Sequence, residues 1–395
     1  MSIVEKKENC TGCGACAVAC PVNCIKMQED EEGFVYPVIS DECIKCNKCE
    51  KVCHIINPNE IKKQTHIVYA ATTYNHAIWK RSASGGAFSE ICFAYGDKDT
   101  LICGAAWDGY DVKHISVTGV KNIGPLCKSK YVFSSTENTY KEVENHLKNG
   151  GKAIYCGTPC QISGLRSYLG KEYDNLLLID LICHGVGSPS VFKTSINNIG
   201  KQFGKKVSSY EFRSKRNVFE TDHLSKISFD DGTDDIYLTK DQYIQLFLKQ
   251  NCLRPSCGEN CRFRNEQRQG DITIADFKGL GEVFPELAYE KKNFSTIVFN
   301  TDKGLALTDK LDKTMKLLRC SVEDLIKYNP LFARHTWSSK DRDAFFEDFV
   351  TDNDNAVKKW TSPAFLHRVS IQRRLYDVLP TCVRRIMFKI FRGEK

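Results

Sequence analysis

The chain lacks any long apolar run. No stretch approaches the roughly 20 consecutive apolar residues of a membrane-spanning helix, and residues 1–30 lack the apolar core of a secretory signal. A P-loop of the form G-x-x-x-x-G-K-[ST] is missing, and so is a G-x-G-x-x-G behind a strand, which excludes the ordinary nucleotide and dinucleotide fingerprints. Most of the chain also lacks excess charge. Residues 358–395 hold ten Lys and Arg against Asp377 and Glu394, a net of +8, so the residues before them sum to −1 of the chain's +7. That distribution argues against nucleic acid as a partner of the body of the protein. The 42% hydrophobic, 27% charged composition is that of an ordinary soluble globular protein with room for two or three domains. The expected location is cytoplasmic, with the twenty cysteines reduced or metal-bound rather than in disulfides.

Cysteine is the residue in surplus. Cys10, Cys13, Cys16 and Cys20, followed by Pro21, repeat as Cys43, Cys46, Cys49 and Cys53, two copies of C-x2-C-x2-C-x3-C offset by 33 residues. Three thiolates at two-residue spacing wrap one cubane, and the fourth Cys of each run reaches across to the other cluster. The spacing therefore predicts two [4Fe-4S] sites, one held by Cys10, Cys13, Cys16 and Cys53 and the other by Cys43, Cys46, Cys49 and Cys20. Zinc fits less well, because its sites pair two C-x2-C knuckles or combine Cys with His. His54 stands where Pro is common after the second run, which weakens a turn without changing the ligand count.

Past Asn57-Pro58-Asn59 the chain alternates strand-like and helix-like runs, which places a domain boundary near residue 60. Residues 64–71, 152–155 and 175–180 read as strands, and 87–95 as a helix behind a Gly-Gly break. Two of these strands run into Gly-rich or Cys-rich loops, and ligands of α/β folds sit at the carboxyl ends of strands. After Pro380, Val383, Ile386, Met387, Ile390 and Phe391 share one helical face, and Arg384, Arg385, Lys389 and Arg392 the other. Such a helix either lies on an anionic membrane face or docks on its own domain, and periodicity does not separate the two.

Five segments carry the remaining chemistry: Ser82-Ala83-Ser84-Gly85-Gly86, Cys156-Gly157-Thr158-Pro159-Cys160-Gln161, Cys183-His184-Gly185-Val186-Gly187-Ser188-Pro189, Phe212-Arg213-Ser214-Lys215, and the run from Cys252 through Arg254, Cys257 and Cys261 to Asp271-Ile272-Thr273-Ile274-Ala275-Asp276-Phe277. Taken in order behind the cysteine repeat, they resemble the beta-subunit family of coenzyme F-420 hydrogenases and dehydrogenases over roughly residues 1 to 310. The resemblance implies a mixed α/β (α+β) fold with a two-cluster ferredoxin domain at 1–60 and beta-subunit regions at 61–150 and 151–320, and the basic, helix-patterned end of the chain reads as a helical basic tail at 321–395. It also implies a non-covalent flavin, usually FAD. Candidate flavin contacts are Ser84, Gly85, Gly86, Lys130, Gly157, Thr158 and Gln161, with Arg213 and Lys215 as anion grips. Lys130 would place a cation near the phosphates or the flavin N1, and His184 would shuttle a proton or support a cluster sulfur. Three positions depart from the family pattern. Lys278 stands where D-F-W-G is common, Trp79 where an Arg usually precedes the S-x-S-G-G loop, and Asn293 where a Gly precedes Ser295, which points to an acceptor other than a deazaflavin.

Apart from the resemblance, the best quartet for a third cluster is Cys160, Cys183, Cys257 and Cys261, the alternative being four buried thiols. Cys24, Cys92, Cys103, Cys320 and Cys382 read as structural, and Cys127, Cys156 and Cys252 stay undecided. The expected function is an iron–sulfur flavoprotein oxidoreductase exchanging electrons with a carrier such as a ferredoxin and acting on an organic substrate. Bacterial relatives point to a sugar of surface-polysaccharide synthesis, with peripheral contact at the inner membrane face. The alternative is a non-enzymatic electron-transfer subunit of a larger complex.

Overall fold

Short apolar segments bounded by Gly, Pro and Asn build the strands of this protein, whose computed structural model describes residues 3–61, 64–136, 138–215, 224–288, 290, 292–334, 338–363, 365–366 and 383. The ferredoxin region holds α1 (Ala15–Val18), an antiparallel hairpin of β1 (Ile25–Glu29) and β2 (Val35–Ile39), and α2 (Lys48–Lys51). The main body is a nine-stranded mixed sheet. Its strands are β3 (Ile67–Thr73), β4 (Leu101–Asp108), β5 (Asp111–Thr118), β6 (Ser134–Ser135), β7 (Ala153–Gly157), β8 (Leu176–Leu181), β12 (Ile272–Asp276), β13 (Ser295–Phe299) and β14 (Met315–Cys320), in the order β14-β3-β13-β12-β8-β7-β4-β5-β6. A second sheet stacks β15 (Phe365–Leu366), β11 (Ile236–Thr239), β10 (Leu224–Phe229) and β9 (Val207–Ser214).

Strands buried on both faces read as continuous apolar runs, and Leu176 to Asp180 in β8 are all buried. On one face of the sheet lie α5 (Thr139–Lys148) and α6 (Pro159–Leu169), packing Tyr140, Val143, Ile162 and Leu165 over Ala153, Tyr155, Leu176 and Leu178. The other face takes α4 (Ala87–Tyr95), with Ile91 and Cys92 over Ile102, Ile154 and Leu177. Short α3 (His76–Lys80) precedes α4. A second core gathers α7 (Pro189–Phe203), α8 (Gln242–Leu248), the smaller sheet and the helices Arg342–Thr351 and Asn353–Trp360. Phe34 and Tyr36 of the ferredoxin hairpin belong to this second core.

Residues 61–150 and 151–320 both supply strands to the large sheet, so no core boundary falls at 150. The strand expected at 64–71 runs over Ile67–Thr73, shifted toward the residues that pair with β13 and β14. The basic face at 384–392 and Cys382 lie outside the described residues. Among the described residues, no helix is long and apolar enough to cross a membrane.

β4, β7, β8 and β12 run parallel, and β3 shares their direction because two antiparallel steps separate it from β12. The carboxyl ends of these strands therefore open onto one edge of the sheet. That edge receives residues 82–86, 157–161, 182–187 and 276–279.

Candidate functional site

The ferredoxin thiols are placed by tight local turns. Gly12 and Gly14 sit at φ +71° and +75°, a region that a side chain disfavours, and they bring Cys10, Cys13 and Cys16 around α1. Cys53 joins them, and the four line one open cleft, about 360 Å³ counted to its mouth, with Ile3, Val4, Met27, Pro37 and His54. Burial pushes the Cys13 thiol up to about 12, and the neighbouring Cys10 and Cys53 sulfurs add repulsion. Cys16 is raised by the same causes, with Cys13, Cys10 and Cys53 as its charged neighbours. Such thiols are neutral until a metal displaces their protons.

Cys43, Cys46 and Cys49 lie at the other end of the module, with Cys46 exposed and the other two half-buried. Buried Cys20 faces them through Cys24, whose Sγ is 3.4 Å from that of Cys20 and whose neighbours include Cys43. Cys24 thus sits among this set rather than alone. The Cys20-x3-Cys24 spacing was its only trace in the sequence.

A second four-thiol cavity, about 660 Å³ counted to its mouth, lies between the ferredoxin module and the sheet edge. Cys160 enters from the first turn of α6, Cys183 from the loop after β8, and Cys257 and Cys261 from the turn Gly258–Asn260 and its flanks. These four are one another's charged neighbours. Burial raises Cys160 well above the ordinary thiol value, Cys183 to about 12 and Cys257 to about 11. Thr158 Oγ1 lies 3.1 Å from Cys160 Sγ. Thr11 and Ile55 line both cavities, so a single layer of side chains separates the two sulfur sets. Among the described residues no three of His, Cys, Asp and Glu converge on a single ion. A four-iron cluster binds each thiolate through a different iron and does not require such convergence.

The flavin candidates fall into two groups. Ser84, Gly85 and Gly86 pack on β3 and β13: Ser84 donates to the Phe294 carbonyl, Gly85 N–H to Ser295 Oγ, and a Cβ at Gly85 would lie 2.2 Å from the Ala71 carbonyl. Gly86, at φ +98°, opens α4, whose N-terminus has no side-chain cap. Arg213 and Lys215 come to this loop from the end of β9. Arg213 pairs with both oxygens of Asp276, at 2.5 and 3.1 Å, and donates to the Ala83 carbonyl and Tyr131 Oη. Lys215 Nζ donates to the Trp79 and Ser84 carbonyls at 2.8 and 2.6 Å and lies 3.9 Å from the centre of the Trp79 ring. Burial pushes Lys215 down to about 7, with the Arg213 charge adding to the effect. Expected as anion grips, both cations are instead buried and bound to acceptors of the chain itself. Both stand beside the start of α4, which has no side-chain cap.

The second group is inward-looking. Lys130 Nζ donates to the Pro125 and Cys127 carbonyls, and burial lowers it to about 8. Gln161 closes a capping box with Thr158 at the start of α6 and donates to the Ser134 carbonyl. Gly157 is packed by Gln161 and His114. His184 Nε2 is 3.2 Å from the Phe247 carbonyl, its backbone carbonyl accepts from Arg264, and burial lowers the imidazole, keeping it neutral near pH 7. Since a carbonyl only accepts, the His184 proton sits on Nε2. Asp276, which organises the first group, stands in the Asp271–Phe277 run, but nothing in the sequence signals its pairing with Arg213.

Comparison with known proteins follows the same division. Residues 9–55 match the 4Fe-4S dicluster domain, and residues 150–324 match the family model for the C terminus of the coenzyme F420 hydrogenase/dehydrogenase beta subunit. Over 116 aligned positions the chain is 33% identical to an iron-sulfur subunit of the CoB--CoM heterodisulfide reductase of Methanocaldococcus jannaschii, a stretch that covers 22% of this chain. It spans 18% of the length of that relative. Among solved structures, a chain of the F420-reducing [NiFe] hydrogenase complex from Methanosarcina barkeri aligns with a TM-score of 0.43 at 13% identity, over 76% of this chain and 91% of that one.

Proposed function

We propose, for a chain that joins a 4Fe-4S dicluster domain to the C-terminal region of coenzyme F420 hydrogenase/dehydrogenase beta subunits, that it is an iron–sulfur flavoprotein oxidoreductase passing electrons between a carrier protein and an organic substrate. Its iron–sulfur electron-transfer character rests on the family matches; the flavin, the third cluster and the substrate are the finer part of the proposal. The observation that carries it is the pair of four-thiol cavities sharing Thr11 and Ile55, the second of them opening beside the loops at the sheet edge.

When bound, clusters move single electrons and a flavin such as FAD converts them into the pairs that organic reductions need. Cys10, Cys13, Cys16 and Cys53 would hold one [4Fe-4S] cluster, Cys43, Cys46 and Cys49 with Cys20 another, and Cys160, Cys183, Cys257 and Cys261 a third. Ser84, Gly85 and Gly86 with the start of α4 would take the flavin phosphates, held in place by Arg213 and Lys215. Asp276 fixes the Arg213 fork, which in turn holds the Ala83 carbonyl and keeps that loop from opening. Neutral His184, at the mouth of the Cys183 loop, is placed to accept a proton at Nδ1. A sugar-related substrate and a cytoplasmic location, with membrane contact through the basic tail, complete the proposal.

The internal commitments of Lys130 and Gln161 favour the second reading, an electron-transfer subunit without flavin. Anaerobic purification with iron, sulfide and flavin quantification separates the two. About eight irons correspond to two clusters and about twelve to three, and the leading proposal expects one flavin as well. Iron without flavin selects the electron-transfer subunit, and stoichiometric zinc with little iron refutes both.

A further inference from the structure

Arg254, like Arg264, is a buried cation at the second sulfur cavity, and it also reaches into the ferredoxin module. Its side chain is 1% exposed. Nε donates to the Cys10 carbonyl at 2.8 Å and Nη2 to the Val35 carbonyl at 3.0 Å, both in the ferredoxin module. Its own backbone ties it to the other cavity: its N–H donates to the Val186 carbonyl, and its carbonyl accepts from Cys257 N–H. The guanidinium carbon lies 4.2 Å from the Tyr36 ring centre, 5.3 Å from Phe133 and 5.4 Å from Phe34. Nη1 is buried without a hydrogen-bond partner, and a Cβ built on Gly12 would stand 2.9 Å from it.

A guanidinium withdrawn from water requires a counter-charge. Among the described residues no carboxylate forms an ion pair with Arg254, and three aromatic faces offset part of the cost. Four thiolates around a four-iron core leave a net negative charge, and both predicted cores flank this side chain. Building on the proposed function, we infer that Arg254 is a positioning residue that serves as the shared counter-ion of the Cys10/Cys13/Cys16/Cys53 and Cys160/Cys183/Cys257/Cys261 sites and raises their reduction potentials. A cation beside a cluster stabilises the more negative, reduced state, and net charge is one of the levers that set cluster potentials. Gly12 has the complementary task of leaving room for Nη1 under the Cys10–Cys13 turn.

The test is an anaerobic redox titration of the full iron-loaded chain, followed by electron paramagnetic resonance, in wild type, Arg254→Gln and Arg254→Lys. Arg254→Gln is expected to retain iron and to make reduction of at least one flanking cluster tenfold harder, 59 mV for a one-electron couple. The cluster at Cys43, Cys46 and Cys49, which Arg254 does not touch, is the internal control and stays in place. Arg254→Lys keeps the charge and is expected to shift by less than half as much. Wild-type iron content with unmoved midpoints in Arg254→Gln overturns the inference, as does a Lys variant that shifts as far as the Gln variant. Should Arg254→Gln lose iron, the Lys variant decides alone: a midpoint within half of a tenfold change supports the charge role and a larger shift overturns it. A wild-type chain without iron refutes the proposed function, and this inference with it.

Discussion

Replacing Asp180 by Asn should destabilise the protein by about 3 to 5 kcal/mol, the cost of breaking a buried ion pair by removing one partner. Asp180 is fully buried at the end of β8. One carboxylate oxygen accepts the N–H groups of Gln269 and Gly270, at 2.9 and 3.2 Å. The other accepts Thr273 Oγ1 and faces Arg268 Nη2 at 3.2 Å. An Asn amide is nearly isosteric but has one oxygen. Whichever way it is turned, its NH2 meets either two backbone donors or a guanidinium, and Arg268, 1% exposed, loses its carboxylate. Each hydrogen bond to a charged group is worth about 1.5 to 3 kcal/mol, so the loss of two agrees with the ion-pair figure. At about 2.1 cal/mol/K of unfolding entropy per residue, a cooperative unit the size of this 395-residue chain shifts about 1.2 °C per kcal/mol, so the melting temperature should fall by roughly 4 to 6 °C. Differential scanning calorimetry of the purified full chain measures this. Because the same network anchors the segment between Cys261 and β12, limited proteolysis around residues 261–270 should accelerate in parallel. A fall under about 2 °C, with proteolysis unchanged, would refute the argument that this buried pair holds the segment in place.

Two further outcomes are expected. Cys13→Ser should cost one cluster, about four irons, while sparing any bound flavin, and Cys257→Ser should cost the third; unchanged iron in the Cys257 variant would make that residue a core thiol. Lys215 is held near 7, below its unfolded value near 10.4, so the unfolded chain binds more protons between these values and this group makes stability rise with pH across that window. Lys215→Met should flatten that rise, and denaturant unfolding at pH 7 and pH 9.5 would show it; an unaltered slope removes Lys215 as its source.

The cysteine repeat and the apolar strands were legible because each depends on local spacing. Turn geometry follows from C-x2-C, and Leu176 to Asp180 advertise burial on both faces through composition alone. Grouping Cys160, Cys183, Cys257 and Cys261 was within reach of a ligand count, since each stands where a loop leaves or approaches a strand. What escaped was pairing over long separations. Arg213 and Lys215 read as free cations because nothing adjacent in sequence announces Asp276, Trp79 or the Ser84 carbonyl as their partners. Lys130 curls back on carbonyls only a few residues away, yet spacing does not say whether a lysine turns inward or out. Arg254 and the Asp180–Arg268 pair stayed hidden for the same reason: each connects segments that fold together only through the tertiary structure.

Phe34, fully buried against Phe346, and Glu32, paired with Arg342, make the ferredoxin hairpin part of the second core. Removal of the module would open the Phe346 ring to water and leave Arg342 without Glu32, and a replacement module would have to match that surface as well as the redox chemistry. The two modules therefore share a core, and the stability of each depends on the presence of the other.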